Sequence, residues 1–169
     1  MVPERDVGAA DADAHRHLVF QRHFPYFVPL KRIIPAIHLA VFRASNGRFG
    51  SKLAGQDMLL LTTTGQRSGK KRTVPLLYVP DGETYVVIGS NWAGPKHPLW
   101  VGNLLANPEG RVQVGSKRRR VTAHVAAGAE RERLWELVTA QYAEYNEYAR
   151  RIGGKREIAL VVLTPLTAA

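Results

Sequence analysis

The sequence predicts a protein of the α+β class: a small, mainly antiparallel β-barrel of about six strands, with a long helix before the last strand and further helices at the N terminus. Two observations lead to this prediction. Short β-rich runs follow one another with hairpin signals between them, which favours an antiparallel barrel over a parallel sheet with crossovers. An apolar pattern with helical spacing then extends from Ala129 to Ile152, just before the last of these runs.

The six strands are predicted from segments that are rich in β-branched and aliphatic residues and bounded by turn residues. They are Met58–Thr63, Thr73–Val79, Thr84–Ser90, Arg111–Val114, Arg118–Val125 and Ile158–Thr164. Asp81-Gly82 and Gly115-Ser116 supply turn signals. A short helix is predicted at Leu99–Ala106, and Asn107-Pro108 ends it because a residue before proline disfavours the helical conformation.

The predicted long helix carries its apolar residues on one side, at steps of three and four. These residues are Leu134, Leu137, Val138, Tyr142, Tyr145, Ala149 and Ile152. Gly153-Gly154 is expected to end the helix, since glycine readily takes the left-handed conformation that follows a helix.

Three segments are expected along the 169 residues, which suffice for one domain with a core. Residues 1–17 are predicted to be a flexible tail, because this stretch is small and polar. Residues 18–55 are predicted to be a helical segment and a glycine-rich linker, in which prolines separate two short helices, the second from about Leu30 to Arg43. Residues 56–169 are predicted to form the barrel domain.

No targeting or membrane-spanning element is evident. The N terminus lacks the basic start and apolar run of a secretory signal, and no uncharged run reaches the roughly 18 residues of a membrane span. A cytoplasmic protein is therefore expected. The basic amphipathic stretch from Leu18 to Ala44 either covers one end of the core or lies on a membrane surface as a peripheral contact.

The chain is strongly basic, which narrows the kinds of partner to consider. Lys and Arg number 24 against 14 Asp and Glu, a formal net charge of +10. Such an excess favours a polyanionic partner: nucleic acid, an anionic membrane surface or a charged cofactor. Cysteine is absent and the histidines show no convincing metal-binding spacing, so no metal site is predicted. Familiar catalytic motifs are also missing, so an enzyme with this sequence would depend on a bound cofactor.

A basic hairpin connects the first two predicted strands. Its tip, GQRSGKKR from Gly65 to Arg72, combines two glycines with several cations. The glycines permit a turn with positive φ and are expected to leave backbone N–H groups uncovered. Such donors among cations suit an anionic group such as a phosphate. The alternative is a hairpin tip whose charge serves only solubility.

A loop that glycine and two prolines stiffen follows the third strand. Ser90 and Asn91 stand where the strand ends, a position that suits a ligand. Trp92 and Trp100 could flank a flat ring. Alternatively Trp100 belongs to the core and His97 is an ordinary surface residue.

Three tyrosines share one side of the predicted long helix: Tyr142, Tyr145 and Tyr148. Steps of three residues spread them over about a third of the helix surface. They could line a pocket for an aromatic molecule, or pack the core with their hydroxyls at its rim. The residues alone leave both interpretations open.

Several segments, in the same order, resemble the deazaflavin-dependent nitroreductase family. They are LLLTTTGQRSGKKRTVPLLY, YVVIGSNWAGPKHPLWVGNLLANP, QYAEYNEY and VVLTP, and they extend from Met58 to Pro165. The resemblance implies a split β-barrel related to flavin-mononucleotide (FMN)-binding proteins and an actinobacterial source. It also implies coenzyme F-420, an 8-hydroxy-5-deazaflavin with a phosphate and an oligoglutamate tail. The chain departs from the family pattern at Asn91, where many members have lysine, and near Leu77, where many have an aromatic residue.

The resemblance also implies which residues bind the cofactor. Those that would hold the phosphate and the start of the acidic tail are Arg67, Ser68, Gly69, Lys70 and Arg72. Those that would back the ring are Thr73, Pro75 and Leu77. Those that would lie at or near its polar edge are Ser90, Asn91, Leu99, Trp100 and Asn103.

The catalytic residues that the resemblance implies are Tyr142, Tyr145 and Tyr148, which would cover the substrate side. The implied enzyme passes a hydride from reduced F-420 to an electron-poor small molecule: an enone, a quinone or a nitroaromatic. A phenol such as that of Tyr145, or water, would then supply the proton.

Three alternatives remain beside this hypothesis. One is an FMN-binding oxidoreductase of the same fold, and another is a non-enzymatic relative that binds lipids or other hydrophobic ligands. A nucleic-acid-binding barrel is disfavoured, because no aromatic residues interleave with the basic strand from Arg118 to Arg120. The expected partner is therefore a small-molecule electron acceptor and not nucleic acid, with the oligomeric state left open.

Overall fold

The computed structural model describes residue 42, residues 52–53 and residues 56–167. The predicted tail (1–17) and nearly all of the predicted helical segment and linker (18–55) lie outside the described residues. Phe42, within the second predicted helix, is helical and fully buried. All described residues belong to one compact unit, residues 34–169. None of the helices in the described part of the chain is long and apolar enough to cross a bilayer.

Six antiparallel strands close into a barrel, as the sequence predicts. The barrel strands are β2 Gln56–Thr64, β3 Lys71–Asp81, β4 Thr84–Gly89, β5 Glu109–Val114, β6 Lys117–Val125 and β7 Ala159–Pro165. A two-residue strand, β1 Lys52–Leu53, precedes them and pairs with β2. Their order is β2-β3-β4-β7-β6-β5, and β5 pairs with β2 to close the circle. Every neighbouring pair is antiparallel, so hairpin turns link most consecutive strands.

Three α-helices and one 3-10 turn complete the described fold. They are the 3-10 turn Asn91–Ala93, α1 Leu99–Ala106, α2 Gly128–Gln141 and α3 Glu144–Ile152. Helix α1 has the bounds that the sequence predicts. Gly153 ends α3 in the left-handed conformation, with φ of 60°.

The prediction of one continuous helix from Ala129 to Ile152 is wrong. Tyr142 leaves the helical conformation, with φ of −135° and ψ of 77°, and the N–H of Tyr145 donates to the Tyr142 carbonyl in a turn. No glycine or proline marks this break. Both tyrosines are buried in the same core cluster, so tertiary packing of two large rings overrides the local helical preference.

The strands alternate between two apolar cores. The interior of the barrel is filled from all six strands and is plugged at one end by Trp100, Val101 and Leu104 of α1. On the outside, α2 and α3 cover β4 and β7. Because successive strand residues point to opposite faces, Val87 enters the barrel while its neighbours Val86 and Ile88 pack beneath the helices.

Strand β3 is paired unequally on its two sides. Strand β2 pairs with Lys71–Leu77, whereas β4 pairs only with Tyr78–Asp81. Among the described residues, Lys71–Leu77 therefore has no strand partner on the β4 side. We call this side of Lys71–Leu77, together with the chain that follows β4, the split.

Substitution of Leu134 by alanine tests the packing of α2 on the barrel. Leu134 is fully buried in the outer core, so its truncation should lower the free energy of unfolding by about 2–5 kcal/mol. Leu105→Ala is the control, since Leu105 is 69% exposed and should change stability by about 0.5 kcal/mol or less. Urea denaturation of both variants measures the difference, and equal effects would contradict this packing.

Candidate active site

The tip of the basic hairpin is closed by its own backbone. The N–H of Gly65 donates to the Lys70 carbonyl at 2.9 Å, and the N–H of Gly69 donates to the Gly65 carbonyl at 2.8 Å. Gly69 has φ of 64°, as a tight turn requires. The two glycine amides themselves are therefore not open to an anion, although the tip was expected to leave backbone N–H groups uncovered. Exposed cationic side chains, such as those of Arg67 and Lys70, can attract an anion at this tip.

Helix α1 holds the hairpin in place through one buried side chain. The Asn103 oxygen accepts a hydrogen bond from the N–H of Gln66 at 3.1 Å, and its nitrogen donates to the Thr63 hydroxyl at 3.0 Å. Asn103 thus lies under the hairpin and fixes it. Trp100 belongs to the barrel core, as the second interpretation of that residue had it, whereas Leu99 is 82% exposed at the start of α1.

Strand alternation sorts the residues of β3 between two faces. Thr73, Pro75 and Leu77 lie on the outer face, where the Thr73 and Thr62 hydroxyls are hydrogen-bonded at 2.9 Å. Lys71 shares this face, and its ammonium group donates to the Thr64 hydroxyl at 2.7 Å. Arg72 starts from the opposite face, on the side that faces the barrel interior farther along β3. Lys71 belongs to the basic hairpin but was not among the predicted cofactor-binding residues, although it shares a strand face with Thr73, Pro75 and Leu77.

The loop after β4 has an unusual backbone. Asn91, Trp92 and Ala93 all have positive φ, at 49°, 54° and 57°. Three consecutive non-glycine residues in this region are costly and persist only where the surroundings enforce them. The Asn91 side chain donates to the Lys96 carbonyl at 2.9 Å, which helps to close the loop. The Trp92 side chain is 70% exposed beside it.

Arg156 clamps this loop from behind, and sequence reasoning missed it. Its guanidinium donates to the carbonyls of Ser90 at 2.7 Å, Gly94 at 3.0 Å and Gly89 at 3.2 Å, and to that of Glu157 at 3.0 Å. Burial lowers the pKa of Arg156 from its usual value. Burial and, next, the charge of Arg156 lower the pKa of His97, so this imidazole is neutral at neutral pH. The loop contacts span more than sixty residues of sequence, so no local pattern could reveal them.

The three tyrosines differ in exposure. The Tyr142 and Tyr145 rings meet edge to face at 6.2 Å and the Tyr145 and Tyr148 rings at 5.8 Å. Tyr142 and Tyr145 are buried in the core under the helices, and Tyr148 is half-buried at its margin. Burial, followed by the charge of Glu144, raises the pKa of Tyr145, which makes its phenol a weak acid.

The elements that carry the predicted site residues contact one another in pairs. The hairpin rests on α1, the loop leads from β4 into α1, and α3 packs against the 3-10 turn of that loop. The described residues line two surface cavities of about 620 Å³ and 590 Å³. None of the three tyrosines lines either cavity, and Lys71 is the hairpin-tip residue that lines the second. Among the described residues, no three His, Asp or Glu side chains are grouped as metal ligands would be.

The chemistry around the split fits an elongated cofactor with an anionic end. An apolar strand face at Pro75 and Leu77 can support a flat ring. Exposed cations at the hairpin end suit phosphate and carboxylate groups.

Comparisons with known proteins agree on one family. A family model described as F-420H(2)-dependent quinone reductase matches residues 35–165. An F-420H(2)-dependent quinone reductase of Mycobacterium tuberculosis is 39% identical over 132 residues, which cover 76% of this chain and 87% of that protein.

Two solved structures extend this similarity to the fold. An F-420-H2 dependent reductase (FDR-A) is 40% identical to this chain, and its structure matches with a TM-score of 0.57. The match covers 63% of this chain and 92% of the reductase. A protein solved as a domain-swapped dimer is 35% identical to this chain, with a TM-score of 0.60. This match covers 76% of this chain and 96% of that protein. The split-barrel prediction is confirmed by the barrel and by these structures.

Replacement of Arg156 by methionine tests the clamp. The change removes the guanidinium donors from several partly buried carbonyls, so stability should fall by about 1–3 kcal/mol. The Ala93 and Gly94 amides, which donate within the loop, should exchange with deuterium faster than in the wild type.

Arg150→Met is the matched control for this experiment, because Arg150 is exposed and bonded to Glu147. It should leave exchange in the loop unchanged. Unaltered exchange at Ala93 and Gly94 in Arg156→Met would mean that the loop holds its shape without the clamp.

Proposed function

The chain belongs to the F-420H(2)-dependent quinone reductase family, and we propose that it uses reduced coenzyme F-420 to reduce an electron-poor small molecule, a quinone in the first place. Enones and nitroaromatics are further acceptors of the same electronic type. The observation that carries the proposal is the split beside β3, with cations at its hairpin end and the tyrosine helix beyond its loop. The relatives named above lend no support to the FMN and lipid-binding alternatives.

The hairpin would hold the anionic end of the cofactor. The residues predicted to hold this end are Arg67, Ser68, Gly69, Lys70 and Arg72, and Lys71 adds a further cation at the same tip. A charge-assisted hydrogen bond contributes about 1.5–3 kcal/mol, so two or three of them would dominate retention of the cofactor. Because the two glycine amides are already bonded, we assign this role to the cations and to the Ser68 hydroxyl.

The outer face of β3 would support the ring. Thr73, Pro75 and Leu77 form a small, mostly apolar platform on that face. Ser90 and Asn91 would lie at the polar edge of the ring, on the loop that Arg156 holds. A rigid platform and a fixed loop position a reactive ring without moving during the reaction, and such positioning can supply several kcal/mol of barrier reduction.

The bound reduced cofactor supplies the hydride, and the protein positions the acceptor and controls the proton. The weakly acidic, buried phenol of Tyr145 is poorly suited to donate a proton. We therefore assign the donor role to Tyr148, which lies at the margin of the core. Tyr145 would hold the Tyr148 ring by an edge-to-face contact, and Tyr142 would hold Tyr145 in the same way.

Cofactor binding is the direct test of this proposal. Titration with F-420, followed by its fluorescence, should give a dissociation constant in the micromolar range or below. Lys70→Ala combined with Arg72→Ala should weaken binding by at least about tenfold, since two charge-assisted contacts are lost. Lys155→Ala, outside the split, controls for loss of net charge. If the wild type does not bind F-420, the proposal is wrong. If the double variant binds F-420 with unchanged affinity, the hairpin does not contribute to the site.

Tyr148→Phe tests the proton donor. It keeps the ring and deletes only the hydroxyl, so kcat for quinone reduction should fall by about a hundredfold with little change in KM. Tyr85→Phe removes a hydroxyl from a tyrosine that packs against Tyr78 at the barrel core and should leave kcat unchanged. If Tyr148→Phe keeps the wild-type kcat, Tyr148 is not the proton donor, and water is the donor instead.

A further inference from the structure

We propose that a second cavity site, away from the split, binds a small hydroxylated aromatic molecule and acts on the loop after β4 through Arg156. The cavity has a volume of about 620 Å³ and is lined by residues of α2, of α3 and of the segment between α3 and β7. We name it the helix-side cavity. Binding to this cavity does not depend on the proposed function, whereas its effect on the enzyme rests on that function.

The helix-side cavity has the size and the apolar surface for an aromatic ring. Cavities of roughly 300–1,000 Å³ hold small molecules in proteins. Trp135, Ala149 and Ile158 contribute apolar lining, and Gly154 lines the cavity without a side chain. No heavy atom lies within 4 Å of the place that a Cβ of Gly154 would take, so the lining is open there. A flat molecule suits such a lining, since Trp135 offers ring surface for stacking.

Trp135 is held in place by the protein itself. The Arg131 guanidinium lies 5.7 Å from the centre of the Trp135 ring. Arg131 in turn donates to the Ile158 carbonyl at 2.8 Å and is paired with the Glu157 carboxylate at 3.2 Å, and its side chain is only 20% exposed. A ring that is fixed in this way loses little conformational entropy when a ligand binds.

The charges that line the cavity nearly cancel. Three arginines and two glutamates are among its lining residues. Of these, Glu157 is paired with Arg131, and Arg150 is bonded to Glu147 at 3.1 Å. The lining therefore has no strong preference for an anion or for a cation, in contrast to the basic hairpin.

The cavity offers hydrogen-bond donors and acceptors together. Arginine guanidinium groups and the Asn146 amide can donate, and the carboxylates of Glu132 and Glu157 can accept. A hydroxyl group uses both kinds of partner, whereas a carboxylate ligand uses donors only. The ligand class that fits the ring surface, the balanced charge and the mixed lining is a phenol with more than one hydroxyl, such as a hydroquinone.

Arg156 connects the cavity with the loop after β4. It lines the cavity, and its guanidinium donates to the carbonyls of Gly89, Ser90, Gly94 and Glu157. A guanidinium carries five N–H groups, so one N–H of Arg156 has no acceptor among the described residues. It belongs to Nη2, the atom that also donates to Ser90. A ligand hydroxyl that accepts from this N–H would hold the guanidinium where it bonds the loop.

Occupation of the cavity should therefore stabilise the strained loop. Three successive residues with positive φ depend on the contacts that hold them, and Arg156 supplies several of these. By linkage, a ligand that stabilises the loop also favours whatever binds to that loop. In the proposed function this is the cofactor ring beside Ser90 and Asn91. A quinone that gains a hydride and a proton becomes a hydroquinone, so the product of that reaction belongs to the ligand class of the cavity.

An NMR titration tests the site without the cofactor. The ligand is a dihydroxynaphthalene whose hydroxyl positions prevent quinone formation. It should shift the indole N–H signal of Trp135 and leave that of Trp100, in the barrel core, unchanged. The dimethoxy analogue cannot donate hydrogen bonds and should bind at least about tenfold more weakly. Equal affinity of this analogue, or tighter binding of naphthoate, would overturn the assigned ligand class.

Glu132→Phe tests whether the signal comes from the cavity. The change removes an acceptor from the lining and adds bulk there, so the dihydroxynaphthalene should bind at least about tenfold more weakly. Glu136→Phe is the matched control, because Glu136 is exposed one turn farther along α2 and does not line the cavity. It should bind as the wild type does. Wild-type affinity in Glu132→Phe would overturn the site.

Hydrogen exchange tests the coupling through Arg156. With the dihydroxynaphthalene at about ten times its Kd, the Ala93 and Gly94 amides should exchange up to about tenfold more slowly in the wild type. Arg156→Met should show no such slowing. Unaltered exchange in the wild type, or equal slowing in Arg156→Met, would overturn the coupling.

Titration with F-420 in the presence and absence of the dihydroxynaphthalene separates this inference from the proposed function. The ligand should tighten F-420 binding by about fivefold. Unchanged F-420 affinity would overturn the regulatory effect while the proposed function stands. If F-420 binds under neither condition, the proposed function fails, and the Trp135 signal still decides whether the cavity is a binding site.

Discussion

The candidate site depends on one feature of the sheet: β3 pairs with β4 over only part of its length, while the rest of β3 pairs with β2 alone. Strand β4 ends at Gly89, where an added Cβ would lie 3.2 Å from Ala159 and from Val101, so the chain passes close to β7 and α1 and then turns away. Lys71–Leu77 is left with one side free of a strand partner among the described residues. A strand edge without a partner strand is usually a liability for aggregation. Here the edge borders the split, and the predicted ring-binding residues stand on the same strand.

The loop after β4 does not pair with β3 and therefore needs other contacts to hold its conformation. Three successive residues with positive φ cost about 1–3 kcal/mol each, and they persist only in an environment that holds them. Arg156 provides much of that environment, since one guanidinium binds carbonyls on both sides of the strained turn. The packing of α3 on the same turn supplies the rest. A loop fixed in this way can position a cofactor as firmly as a strand does, which explains how the site combines an irregular backbone with precise placement.

The sequence predicts the structural features that neighbouring residues determine. It fails for features that depend on contacts between residues far apart in the chain. The strands and α1 follow from β-rich runs and turn residues, and the close match of α1 shows how strong the signal of Asn107-Pro108 is. The break at Tyr142 has no local signal, because it arises from the burial of two tyrosines. The tip was expected to leave backbone N–H groups uncovered, yet the amides of Gly65 and Gly69 are bonded to carbonyls of the same turn. Lys71 could have been found: β3 begins two residues before the predicted strand, and alternation then places Lys71 with Thr73.

The distribution of charge around the split explains why positioning can carry so much of the reaction. Neither of the segments that border it, Lys71–Leu77 and Ser90–Leu99, contains an acidic residue, and both contain cations. An acceptor that receives a hydride gains negative charge, which a cationic and neutral environment stabilises and a carboxylate would oppose. Burial keeps the phenol of Tyr145 protonated and His97 neutral, so neither adds an opposing charge at neutral pH. In the proposed reaction, the cations that would attract an anionic cofactor would therefore also stabilise the charge that develops on its substrate.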